Sequence, residues 1–280
     1  MESYVVAGLV AGIISGIVAT IALISACVLN LPWPNLPVSS VLTTPFLTTH
    51  LEFEFVINGF FGIIFGIIYS KYYDATPGKG IIKGLCFGLI LYLIGGFYPG
   101  VHIWERYMDI VSAIGTWWMV FFCLTSYGLV LGALYRRPTR AVGKHDVKSG
   151  VFSGTVAGVI GGIAATIFMI IGVNLKVWAP FVPGILSATS FTAHHILEII
   201  VTIAFGAIFG AMYSIYYDST PGKGILKGLV YGLLLYLISS IRTGVLFAGY
   251  GNLSYAISVF WLGFFTLAVY GLVLGALYRK

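Results

Sequence analysis

Two stretches of this chain carry ionisable side chains at helical spacing within apolar sequence. His50, Glu54 and Asn58 stand four apart, and His194, Glu198 and Thr202 repeat the register. Spacing of four puts each trio on one helix face. Glu54 and Glu198 are expected one turn, about 6 Å, inside the helix start. Ionisable groups at membrane depth are costly, so they face a bundle interior, a partner or water. Such a set could do several kinds of chemistry. The two carboxylates could carry protons or cations during transport. Two imidazoles and two carboxylates could hold a divalent transition metal, or His50 and His194 could ligate one haem near the outer leaflet. The plain alternative is a half-wet His–Glu pair that steadies the start of a helix.

The elements that position these residues are membrane spans. Mean hydropathy is +1.00, 59% of residues are hydrophobic and 9% are charged, whereas about a quarter of an ordinary soluble domain is charged. Long apolar runs between short polar clusters read as spans of roughly 20 residues. The polar breaks predict eight of them: 5–31, 50–73, 76–97 and 109–135, then 149–175, 194–217, 220–241 and 253–278. Met1 to Tyr4 holds no basic residue, and the run beyond it is too long for a secretory signal, so the first span is expected to stay uncleaved. Cys27, Cys86 and Cys123 fall inside apolar runs without CxxC spacing and read as small buried hydrophobes.

The spans are written twice. Residues 61–96 and 205–240 are identical at 25 of 36 positions, and YGLVLGALYRR at 127–137 returns as YGLVLGALYRK at 270–280. A duplication of this clarity implies two like units, 1–137 and 149–280, joined by a linker at 138–148. Four spans per unit is an even number, so both units are expected to point the same way. A pseudo-two-fold axis along the membrane normal would then relate them. The expected fold is all-α, with the ionisable stripes meeting at the interface between the repeats.

Orientation follows from the basic residues. Twelve of the fifteen fall on one side, with only Arg106, Lys176 and Arg242 on the other. The positive-inside rule makes both termini and the linker cytoplasmic. The net charge of +6 is thus topological, and nucleic acid is not an expected partner. The expected partners are the lipid bilayer and, in one reading, other membrane subunits.

The motif YYDxTPGKG, at 72–80 and 216–224, is expected to form a cytoplasmic turn. It lacks the GxxxxGK[ST] spacing of a phosphate loop. Its tyrosines suit the interfacial belt, Asp74 and Asp218 the turn amides, and Thr76 and Thr220 the cap of the next span. Pro77 suits a first helical position, and Lys79, Lys83 and Lys223 the lipid headgroups. On the outer side His102, Glu105, Arg106 and Asp109 form a polar cap in a loop that the second copy replaces with a charge-poor segment. The loops 32–49 and 176–193 are long enough to fold over the outer face, and Asn252-Leu253-Ser254 matches a glycosylation sequon. Glycines four apart recur in every span and predict close helix packing.

AGxxxGxxAT in the first span of each half, H-x3-E, FGxxFGxxYS and GxxxGxxxG together resemble prokaryotic glycine-rich four-span membrane proteins of unknown function. This chain looks like a fused pair of such units. The resemblance implies a multi-pass protein of a prokaryotic cell membrane and no particular activity. No nucleophile–base pair or nucleotide loop is evident, so catalysis by the chain alone is not expected. The leading expectation is binding or passage of an ion or small solute, with Glu54 and Glu198 carrying charge and His50 and His194 tuning them. Two others are a non-catalytic subunit of a larger redox complex, offering a haem, metal or quinone site, and a pure scaffold.

Overall fold

The computed structural model describes residues 3–29, 44–107, 110–135, 146–175, 188–249 and 253–278; the side chains at 26, 27, 44–50, 103–107, 110–112, 169, 173, 174, 188–195, 198, 254 and 255 lie outside what it describes. The described residues are helical, without strands. Among the described residues eight helices are long and apolar enough to cross a membrane. The chain is a polytopic integral membrane protein.

It divides into two compact units. The first comprises Met1–Trp104 with Asp109–Val142, the second Glu105–Met108 with Gly143–Lys280. In the first unit α1 is Ser3–Val28 and α2 is Thr44–Tyr72. Then α3, Gly80–Tyr92, runs through a π turn at Leu93–Phe97 into α4, Tyr98–Tyr107, and α5 is Ile110–Leu134. In the second unit α6 is Val147–Asn174 and α7 is Ala188–Tyr216. Next, α8, Gly224–Tyr236, passes through a π turn at Leu237–Ile241 into α9, Arg242–Gly249, and α10 is Leu253–Leu277.

Three expectations change. The outer segment from Tyr98 is not a loop: the third span continues as helix to Tyr107, and its counterpart to Gly249. The second unit has the same π turn with Thr243 in the place of Pro99, so proline is not its cause. Helix α2 begins at Thr44. Glu54 is therefore ten residues, or about 15 Å, inside the helix rather than one turn. The third span starts at Gly80, not Thr76, because Gly78 and Gly80 take positive φ of 94° and 52°. Such values break a helix and favour glycine.

Glycine decides which helices touch. In the first unit a Cβ on Gly62 would lie 2.8 Å from the Gly12 Cα, and one on Gly128 would lie 2.8 Å from the Gly88 Cα. So α1 packs backbone to backbone on α2, and α3 on α5. In the second unit Gly154 and Gly158 meet Gly206 and Gly210, and Gly228 and Gly232 meet Gly271 and Gly275, pairing α6 with α7 and α8 with α10. Side chains fill the remaining space. Phe61, Phe65 and Tyr127 form one run of tilted and edge-on rings inside the first unit, and Phe87, Tyr69, Tyr135 and Tyr73 form another. Tyr127 Oη donates to the Gly62 carbonyl at 2.8 Å, and Tyr270 Oη to the Gly206 carbonyl at 2.9 Å. A carbonyl already in a helix keeps a second lone pair, and the bare glycine leaves it accessible. Ile21, Val56, Phe60, Ile82 and Phe152 point outward, as lipid-facing residues do.

Candidate functional site: a buried carboxylate and its surroundings

Glu54 is 1% exposed. Its face of α2 lies against α1 where Gly16 leaves room: a Cβ there would sit 3.0 Å from the Glu54 carbonyl oxygen. One turn along, Asn58 is also buried. Its Nδ2 donates to the Glu54 Oε2 in a very short contact and to the Glu54 carbonyl at 3.0 Å. Its Oδ1 accepts from the Cys123 thiol of α5 at 3.5 Å. The amide thus spends its donors on the glutamate and its acceptor on the thiol. This gives a directed chain, Cys123 to Asn58 to Glu54, ending at a carboxylate on a spanning helix. Every one of these contacts lies within the first unit. Sequence reading found Glu54 and Asn58 by spacing but took Cys123 as an inert hydrophobe; pairing 65 residues apart leaves no local signal.

The other members of the stripe are placed less closely. His50, His194 and Glu198 lie on α2 and α7, with side chains outside the described residues. Thr202 turns back on its own helix, its Oγ1 donating to the Ile199 carbonyl at 3.1 Å. Among the described residues no three His, Cys, Asp or Glu side chains come together as metal ligands.

Of the outer polar cap, His102, Glu105 and Arg106 lie on a helix. The His102 ring stands edge-on to Tyr98 at 4.6 Å. Glu105 and Arg106 lie on α4 with side chains outside the described residues, and Asp109 lies outside them altogether.

At the opposite end the YYDxTPGKG turn is rebuilt. Thr76 Oγ1 donates back to the Tyr72 carbonyl at 2.9 Å, and Thr220 Oγ1 to the Tyr216 carbonyl at 2.9 Å. Each threonine closes the preceding helix instead of capping the next. Lys79 and Lys223 occupy the N-cap positions, without a side-chain cap, and are exposed. Pro77 is in the turn, Asp74 is half-buried, and Asp218 is exposed in a short 3₁₀ turn, Tyr217–Ser219. Tyr72 and Tyr73 are buried rather than interfacial.

Sequence reading missed what Lys83 does. It was expected at the headgroups, yet it is 1% exposed. Its Nζ donates to the Tyr73 carbonyl at 2.7 Å and stands 4.3 Å from the Tyr73 ring centroid. Lys227 repeats this on Tyr217, at 2.8 Å and 3.9 Å. Hydrogen bond and ring face together replace lost water. The available signal was the i, i+4 partner of each exposed lysine, on the inner face of the next helix.

Beside that turn, burial above all pushes the Tyr278 phenol up from its ordinary pKa. Asp146, Tyr217 and Asp218 add to the rise.

No family profile, curated protein or solved structure matches this chain.

Proposed function

We propose that the protein binds and passes a proton or small cation through its first four-helix unit, with Glu54 as the carrier. A carboxylate that is 1% exposed on a spanning helix carries this reading. Burial of that group is costly and is retained in membrane proteins mainly where ions or protons move. Asn58 orients the carboxylate, and Cys123 fixes the amide so that its donors face Glu54. The clustering of basic residues supports an orientation with both termini on the cytoplasmic side, which puts Glu54 in the outer half of its span.

The test is flux into vesicles reconstituted with the full chain, read with a pH-sensitive dye and with labelled sodium. Glu54→Gln keeps the shape and the hydrogen bond from Asn58 while removing the titrating oxygen. Flux should vanish while yield and monodispersity stay as in the wild type. A Glu54→Gln protein that conducts normally overturns the proposal.

A further inference from the structure

The two ends of the Asn58 amide would serve a transport site in opposite ways. Its Nδ2 donates to the Glu54 Oε2, in the very short contact, and to the Glu54 carbonyl at 3.0 Å. Its Oδ1 accepts from the Cys123 thiol at 3.5 Å. A metal cation on the carboxylate requires the reverse. Hard cations are held by oxygen atoms, and an N–H aimed at the carboxylate stands where such an ion would take a ligand. A proton needs no shell of oxygens, only a lone pair on the carboxylate.

The surroundings agree with the smaller ion. Helix α1 closes on this face with bare backbone: a Cβ on Gly12 would lie 2.9 Å from the Asn58 carbonyl carbon, and one on Gly16 3.0 Å from the Glu54 carbonyl oxygen. Buried Ser15 and Thr20 turn their hydroxyl hydrogens back to the Gly12 and Gly16 carbonyls of α1, at 2.9 and 3.1 Å. Across the unit, Cys123 to Asn58 and Tyr127 to Gly62 are both bonds between residues 65 apart, which fixes the register of α5 against α2. That register sets buried Met119, one turn from Cys123 on the same stripe, at the level of Glu54. A thioether is a soft ligand, unsuited to a hard cation.

The amide could be turned over, and the thiol opposes it. Reversed, Asn58 would set its oxygen against the Glu54 Oε2 and its N–H groups against the Cys123 sulfur. Oxygen against carboxylate oxygen is tolerable with a cation between them, and the thiol would lose its acceptor. The second unit carries Thr202 and Thr266 at these two positions and has no amide there to orient.

We propose that Cys123 is a positioning residue that makes the Glu54 site select protons over metal cations, by holding the Asn58 oxygen away from the carboxylate. The selectivity rests on the reading of Glu54 as carrier; the orientation of Asn58 does not.

The experiment reads flux into vesicles reconstituted with the full chain, with a pH-sensitive dye and with labelled sodium. Wild type should pass protons and leave sodium at the level of protein-free vesicles. Cys123→Val removes the donor at similar volume and should raise sodium flux about threefold above that level, as loss of one weak hydrogen bond would. Cys123→Ser, which keeps a donor, should restore the wild-type selectivity. If the valine variant does not fold, Cys123→Ala carries the same expectation. Glu54-dependent sodium flux in the wild type, or a Cys123→Val protein as proton-selective as the wild type, overturns the proposal and leaves the carrier reading standing. The infrared S–H stretch of Cys123, assigned by its loss in Cys123→Val, gives a readout apart from flux. It should move to higher frequency in Asn58→Leu, and an unmoved band overturns the proposal. Normal flux in Glu54→Gln beside a moved band would sink the carrier reading, and the selectivity with it, while the Asn58 orientation stands.

Discussion

The two ends of each unit have had different histories. At the turn end the copies agree nearly atom for atom: Lys83 and Lys227 donate to the Tyr73 and Tyr217 carbonyls at 2.7 and 2.8 Å, and Thr76 and Thr220 both close the preceding helix at 2.9 Å. At the far end they part. Where the first unit has Asn58, Gly95, Gly96, Tyr98 and Cys123, the second has Thr202, Ser239, Ser240, Arg242 and Thr266. The close contacts part as well: in the first unit Gly96 faces Val120, whereas in the second Ser240 faces Gly263. Identity at one end is what construction requires. At the other end the copies differ in the polar side chains that the frame carries.

That contrast can be broken at its frame first. Gly12→Leu forces a side chain into the Asn58 carbonyl and the Gly59 Cα, and Gly158→Leu does the same against Thr202 and Ile203. Each should cost about 3 kcal/mol, as overpacking does at its upper range. Both should strip the protein of its cooperative melt in detergent. A tolerated leucine at either place would show that the backbones do not meet.

The turn end gives a smaller effect with a definite ranking. Lys83→Met leaves the Tyr73 carbonyl without its charged donor and should cost about 2 kcal/mol. Lys227→Met should cost less, because Lys227 is 9% exposed against 1% for Lys83. Midpoints of the two variants measured side by side test the order, and neither should alter ion selectivity. A change in selectivity would mean that the turn end belongs to the site.

The smallest effect is at Tyr278. Its phenol is raised in the folded protein, chiefly by burial. Any stability linked to it is whole below its unfolded pKa of about 10 and falls as pH climbs towards the folded value. Tyr278→Phe should therefore melt like the wild type at pH 8 and fall less between pH 10 and 11. Identical alkaline losses in the two proteins would remove Tyr278 from the account.

Much of this was legible in the residues. Eight spans follow from run length, and helix contact along Gly8, Gly12, Gly84 and Gly88 follows from spacing, because a missing side chain is a local property. Glu54 and Asn58 declared themselves as members of one helix face. The start of the third span at Gly80 is not legible from Pro77, because the positive φ of Gly78 and Gly80 sets it. The continuation through Tyr98 to Tyr107 was hidden by Pro99-Gly100, which on one strand of text looks like a turn.

The sequence by itself determined the solvent of this protein, the number of its spans and the faces along which helices come close. All of these depend on periodicity within one segment. Only the tertiary structure decided that Cys123 reaches Asn58, that Lys83 turns inward to the Tyr73 carbonyl, and that Arg242 is buried. Each joins or places groups that periodicity treats alike, since a polar residue on a helix is satisfied by whatever the neighbouring helix presents, and that neighbour is set by the packing of the whole unit.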